Sequence, residues 1–179
     1  MLQHVLYDRA AVAKGVESLT QEILKHNPRA KNIALVGVKT RGVYLAERIR
    51  AQLKKSCRVA PPMGAMDTTL YRDDLNDVGH QHEVKGTEIP FDVNEKVIIL
   101  VDDVLYTGRS VRAAIDQIMD FGRPKRIELA VLVDRGHREL PIAPNYVGYT
   151  VETKGDEVVK VHLSEADGRD EVVVGKRQK

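Results

Sequence analysis

The chain has 179 residues, 42% of them apolar and 30% charged, the balance of one globular domain rather than of a collagen-like, low-complexity or disordered polypeptide. Aromatic residues are scarce at 4%, with no Trp, so the core is expected to be aliphatic and stacking capture of single-stranded nucleic acid is poorly supplied. A formal charge of +2 falls short of a dedicated nucleic-acid coat, and the single Cys57 excludes an internal disulfide or a zinc knuckle. No apolar run reaches the roughly 18 residues of a membrane span. A cytoplasmic protein with no membrane partner is expected.

From Asp8 to Asn27 the apolar residues Val12, Val16, Leu19 and Ile23 recur at intervals of four, three and four, which predicts an amphipathic helix with Asp8 as cap and Pro28 as stop. Asn32 to Val38 (NIALVGV) is too short for a helix and reads as a strand buried on both faces. Residues 41–56 return to helical spacing, with Val43, Ala46, Ile49 and Leu53 opposite Arg48, Arg50, Lys54 and Lys55. Cys57 fills space near the end of that helix.

Between Asp73 and Pro90 the sequence is polar, with Asp73, Asp74, Asp77, Gly79 and Gly86. A long loop of this kind inside a compact domain is expected to be a lid or binding loop. Its His80 and His82 lack the spacing of a metal site. VIILV at 97–101 is a stronger buried-strand signal, followed by a helix marked by Val111, Ile115, Ile118 and Met119 and ended near Gly122 and Pro124. Ile127 to Val133 is a third apolar strand, Tyr146 to Val151 and Val158 to Leu163 are two weaker ones, and Gly175 to Lys179 is expected to fray. Strands alternating with helices predict an α/β fold, a doubly wound, mainly parallel sheet flanked by helices, with ligands beyond the carboxyl ends of its strands.

Ile98 to Ser110 reads IILVDDVLYTGRS. A buried strand delivers Asp102 and Asp103 to the sheet edge, and a loop with Thr107, Gly108 and Ser110 opens directly into a helix. Helix starts present unpaired N–H groups and the positive end of the macrodipole, a seat for phosphate. The carboxylates would repel phosphate and so face something neutral or cationic, such as the vicinal hydroxyls of a ribose or a hydrated Mg²⁺. A sugar 5-phosphate satisfies both halves. Each residue alone is an ordinary cap or turn former; the conjunction is not. A response-regulator receiver also pairs acids at a strand end, but early in its chain and with a further acceptor Asp, and neither GxxxxGK[ST] nor GxGxxG occurs here.

IILVDDVLYTGRS resembles the phosphoribosyl pyrophosphate motif of the type I phosphoribosyltransferases. VGVKTRG at 36–42, DTTLYRDDL at 67–75 and VLVDRGHRELPI at 131–142 are similar to segments of the PyrR family, pyrimidine operon attenuation proteins that are also uracil phosphoribosyltransferases. The resemblance runs from about Val5 to Asp167.

It implies a single phosphoribosyltransferase domain over residues 1–179 with a hood at about 67–90. It places Asp102 and Asp103 on the ribose hydroxyls and on waters of Mg²⁺. The 5-phosphate falls to Val104, Leu105, Tyr106, Thr107, Gly108, Arg109 and Ser110, and pyrophosphate to Lys39, Thr40 and Arg41. Tyr71, Arg72 and Asp73 belong to the hood, with Arg72 completing a catalytic clamp alongside Arg41, Asp102 and Asp103. The base falls to the loop holding Val133, Asp134, His137 and Arg138. The implied reaction makes UMP and pyrophosphate from uracil and phosphoribosyl pyrophosphate, with UMP-dependent binding of an mRNA leader as the regulatory role. Cation clusters at Lys54-Lys55 with Arg58, at Arg123-Lys125-Arg126 and at Arg135-His137-Arg138 are the candidates for RNA. A purine transferase without an RNA role, or a regulator with little activity, are the alternatives. Family members form dimers, so a homodimer or higher homo-oligomer is implied, and the apolar excess of the first helix suits an interface.

Overall fold

The structure is a computed structural model that describes residues 3–58, 60–68 and 86–176. Eight strands and four helices follow in the order β1 (Gln3–Tyr7), α1 (Arg9–His26), β2 (Ile33–Val38), α2 (Arg41–Cys57), β3 (Met63–Met66), β4 (Val97–Leu105), α3 (Arg109–Asp120), β5 (Arg126–Asp134), β6 (Tyr146–Thr150), β7 (Glu157–His162), α4 (Ser164–Asp167) and β8 (Glu171–Lys176) among the described residues, with a single 3₁₀ turn at Pro28–Ala30. Asp8 caps α1 as its sequence position predicts, accepting from the Ala11 N–H at 2.9 Å.

A five-stranded parallel sheet runs β3-β2-β4-β5-β6. Its central strands are apolar on both faces, and their period of two divides the core. Ile33, Leu35, Ile99 and Val101 pack toward Val12, Val16, Leu19 and Ile23 of α1 and Leu45, Ile49 and Leu53 of α2. Ala34, Val36, Ile98 and Leu100 pack toward Val111, Ala114 and Ile118 of α3. Helices on both faces make this the doubly wound arrangement that the alternation of elements predicts. The four apolar residues of α1 are at most 1% exposed, so the apolar stripe of this helix is spent inside the chain's own core.

A second sheet, β1-β8-β7, is antiparallel. It takes the weak Val158–Leu163 strand away from the parallel sheet, and it corrects the expectation of a fraying end at Gly175. Gly175 and Lys176 lie in β8, where Gly175 pairs with both Gln3 and Val158 and Lys176 with Glu157. Val172 and Val174 on the same strand anchor it to the core; residues 177–179 lie outside the described residues.

Two glycines bring α2 down onto the sheet. A Cβ on Gly37 would stand 2.5 Å from the Val43 Cα, and one on Gly42 2.5 Å from the Val101 carbonyl oxygen. The loop between β2 and α2 is thereby held beside the end of β4.

Candidate active site

Strand β4 runs four residues past the predicted VIILV, so Asp102 and Asp103 are its penultimate turn of pleat rather than loop residues. Adjacent strand residues point to opposite faces, but each carboxylate bends back to the main chain ahead of it: Asp102 Oδ1 accepts from the Asp103 N–H and Asp103 Oδ1 from the Val104 N–H, both at 2.9 Å. Both acids are thus drawn to the carboxyl edge. Asp102 is buried and Asp103 half-buried.

The strand leads through Tyr106 and Thr107 to Gly108, which caps α3 with φ +95° and no side-chain hydrogen bond. That φ favours glycine, and a Cβ there would meet Ile142 Cδ1 at 3.3 Å. Gly108 therefore offers no side chain to the first amides of α3. Val104 and Leu105 pack into the core, so these two can meet a ligand only through their main chain, and the exposed Arg109 pairs with Glu139. Thr107 Oγ accepts from the Arg109 N–H at 3.3 Å, and Ser110 is half-buried.

The loop after β5 is bolted to this seat. The Arg138 guanidinium donates to the carbonyls of Tyr106 at 2.8 Å, Gly136 at 3.2 Å and Ile142 at 3.1 Å, and pairs with Asp134 at 2.6 Å. Arg135 is 4% exposed, stacks 4.0 Å above the Tyr106 ring and donates to the Glu157 carbonyl at 2.6 Å. His137, in the left-handed region at φ +61°, holds the Thr153 carbonyl at 2.6 Å, so its Nε2 must carry the proton. A cleft of about 410 Å³ opens here, lined by Asp134, Gly136, His137, Thr150 and Glu152 among others. Val133 is buried beneath it. With Arg135 and Arg138 used internally, Arg135-His137-Arg138 is not a surface cation cluster.

On the other side, Lys39 Nζ donates to the Gly86 carbonyl, Thr40 is exposed, and the Lys39–Thr40 peptide is cis. Arg41 forks Asp167 through Nε at 3.0 Å and Nη2 at 2.7 Å, and this guanidinium, with the Leu163 N–H, holds the Asp167 carboxyl down to about 2 against the cost of burial. Tyr71, Arg72, Asp73, His80 and His82 lie outside the described residues. Both roots of that segment are held by α3: Gln117 donates to the Asp67 carbonyl at 3.1 Å and accepts from the Thr87 hydroxyl at 2.8 Å.

The structure thus gathers Lys39, Thr40, Arg41, Asp102, Asp103, residues 104–110 and the 133–138 loop along one edge of the sheet. A phosphoribosyl transferase domain family model matches residues 3–165. The chain is 50% identical over 175 residues to the bifunctional protein PyrR of Listeria monocytogenes serotype 4b, covering 96% of each chain, and 53% identical over 161 residues to that of Deinococcus deserti, covering 90% of this chain and 88% of the relative. The chain belongs to the PyrR family of phosphoribosyltransferases. A hypoxanthine phosphoribosyltransferase from Trypanosoma cruzi, 12% identical, superposes with a TM-score of 0.73 over 97% of both chains, a likeness of fold.

Two residues that hold this edge together carried no sequence signal: Asp167 stands 126 positions from Arg41, and Gln117 sits mid-helix. Arg135, read from the sequence as a surface cation, is buried instead. Only the long-range pairing in the fold brings these contacts out.

Proposed function

We propose that this chain transfers the ribosyl 5-phosphate of phosphoribosyl pyrophosphate to uracil, forming UMP and pyrophosphate, and that UMP bound in the same seat favours binding of an mRNA leader. The single observation that carries the enzymatic reading is the pair Asp102 and Asp103 at the carboxyl end of β4, set directly before the glycine-led start of α3 at Gly108.

The amides and the macrodipole at the start of α3 bind the dianionic 5-phosphate, with Thr107 and Ser110 hydroxyls beside them. The two carboxylates accept from the ribose hydroxyls and fix the ring relative to the phosphate. The C1–O bond then breaks ahead of attack by uracil N1, leaving positive charge on the ribose and negative charge on pyrophosphate. Asp102 and Asp103 stabilise the first charge, and the Lys39–Arg41 loop the second. The N1–C1 bond replaces the C1–O bond, and the N1 proton leaves to solvent or to the departing pyrophosphate. Positioning and preplaced charge supply the rate, with no covalent enzyme intermediate.

Among the described residues no three His, Cys, Asp or Glu side chains are grouped to hold a metal. Two adjacent carboxylates fit an ion that takes its ligands from substrate oxygens and water, as Mg²⁺ does, with Asp102 and Asp103 accepting from its waters. The chemistry Mg²⁺ would supply at this position is neutralisation of the negative charge on pyrophosphate. The base sits by the 133–138 loop, whose main chain offers donors and acceptors to the uracil carbonyls and N3–H. For RNA, the exposed cations are Lys54 and Lys55 in the last turn of α2 with Arg58 at its C-cap, and Arg123 and Lys125 before β5 with Arg126 at its start. By the parallel topology both groups lie at the amino edge of the sheet.

A base panel tests this reading: uracil, hypoxanthine and guanine offered with phosphoribosyl pyrophosphate and Mg²⁺. UMP formation from uracil alone is expected. Turnover of a purine in preference to uracil sinks the pyrimidine assignment, and no turnover of any base sinks the transferase reading. A gel shift of the operon leader, tightened by UMP and relaxed by phosphoribosyl pyrophosphate, tests the regulatory half, since two ligands of one seat must oppose each other if only one favours RNA.

A further inference from the structure

Two arginines of α2 reach into the corner between β7 and β8. Arg41 opens the helix and Arg48 stands seven residues on, so both lie on one face. Arg41 forks Asp167 at 2.7 and 3.0 Å. Arg48 forks Asp170 at 2.7 and 3.1 Å and also reaches Glu165. Each aspartate is fixed from behind: Asp167 accepts the Leu163 N–H at 2.9 Å and Asp170 the Ser164 N–H at 2.7 Å. The corner around α4 therefore presents two prearranged carboxylates to one helix. Only the first meets a residue of the β2–α2 loop.

A guanidinium carries five N–H hydrogens in a rigid plane. The pair with Asp167 uses the Nε–H and one hydrogen of Nη2, and leaves the Nη1 edge outside the fork. A long side chain recruited to an anion from solvent first loses its rotamer freedom; here that freedom is already removed. We propose that Asp167 is a positioning residue for the transfer, holding the Arg41 guanidinium in one orientation so that its remaining edge receives the departing pyrophosphate. Asp167 lies beyond residues 3–165 matched by the family model. The proposal rests on the reading of residues 39–41 as the pyrophosphate loop.

Asp170 supplies the matched control, because it docks the same corner to the same helix without touching Arg41. KM for phosphoribosyl pyrophosphate and for uracil, pyrophosphate affinity by calorimetry, and Tm are measured for the full chain and for Asp167→Asn, Asp167→Glu and Asp170→Asn. Asp167→Asn is expected to raise KM for phosphoribosyl pyrophosphate and weaken pyrophosphate binding about tenfold, with KM for uracil within about twofold. Asp167→Glu recovers part of the loss. Asp170→Asn lowers Tm comparably and leaves both pyrophosphate readouts unchanged. On an Arg41→Ala background, Asp167→Asn adds nothing further.

Wild-type pyrophosphate affinity and KM in Asp167→Asn overturn the proposal. So do equal shifts in Asp167→Asn and Asp170→Asn, which reduce both pairs to struts. If the wild-type chain binds pyrophosphate but forms no UMP, the reaction assignment fails while the calorimetric comparison still decides the role of Asp167.

Discussion

The two edges of the parallel sheet carry similar polar residues and use them in opposite ways. At the amino edge, Asn27 donates to Glu128 at 3.0 Å and to the Tyr146 hydroxyl at 3.1 Å, Tyr146 donates to Glu128 at 2.7 Å, and Arg126 joins Glu128 at 2.6 Å and the Asn27 carbonyl at 3.0 Å. Every member is answered by another member. At the carboxyl edge, main-chain contacts aim the two acids instead: Asp102 and Asp103 each accept one backbone amide, and the residue that caps α3, Gly108, brings no side chain to close its start. A closed network stabilises, whereas a supported but open one binds. Changes at the amino edge should therefore cost stability and spare catalysis, and changes at the carboxyl edge the reverse.

The largest effect expected is at Asp103. Asp103→Asn keeps the size of the side chain and an acceptor for the Val104 amide, but removes the charge that faces the developing ribosyl cation. We expect kcat to fall by roughly 10²-fold or more with Tm nearly unchanged, magnitudes typical of a lost preorganised electrostatic contact. A steady-state assay beside a melting curve checks both, and a large loss of Tm with unaltered kcat would break the contrast between the edges.

Gly108 sharpens it next. Gly108→Val sets a branched side chain at φ +95° and against Ile142, closing the approach of phosphate to the amides of α3. KM for phosphoribosyl pyrophosphate should rise at least about tenfold, with a stability cost of about 1–2 kcal/mol from the left-handed backbone. Urea unfolding separates the two terms.

The parallel sheet was legible in the sequence because its signals are local: apolar runs too short for helices, helical spacing between them, and acids followed by a glycine turn. Asp102, Asp103 and Gly108 could be assigned for the same reason. The antiparallel sheet was not legible. EVVVGK at 171–176 gains its meaning only when β1 and β7 flank it, and a chain end with three basic residues reads as solvent-exposed. Nor could the sequence tell Arg138, which braces two loops from within, from Lys54, which faces water. Both are cations in polar segments, and only long-range carbonyl partners separate them. Arg41 was readable as a loop cation, while its partner Asp167 was not, since pairing across 126 positions leaves no periodicity to detect.

At the amino edge, Tyr146→Phe removes a hydroxyl that answers both Glu128 and Asn27. Leaving a buried carboxylate short of a donor costs about 1–3 kcal/mol, while kcat and both KM values should stay at wild type. Changed kinetics would show that the edges are coupled through β5, the strand they share.

The smallest effect is the acid limb of stability, and its sign follows from Glu128. Burial pushes its carboxyl up, but the hydrogen bonds from Tyr146, Arg126 and Asn27 outweigh that and leave it below its ordinary value of 4.5. A carboxylate depressed on folding contributes stability fully above its unfolded pKa and loses it as pH falls through the folded value. Wild-type Tm should therefore decline between neutral pH and pH 3 more steeply than that of Glu128→Gln, which starts lower and has no charge to lose at this position. Asp167, held to about 2 by Arg41, begins to lose its contribution only below its ordinary value of 3.8, so its decline starts at lower pH than that of Glu128. Under acid the closed network should thus begin to fail while the Arg41 pair is still intact. Residual activity that survives the first decline in stability would follow from this order, whereas activity lost ahead of it would place the acid-sensitive group at the carboxyl edge.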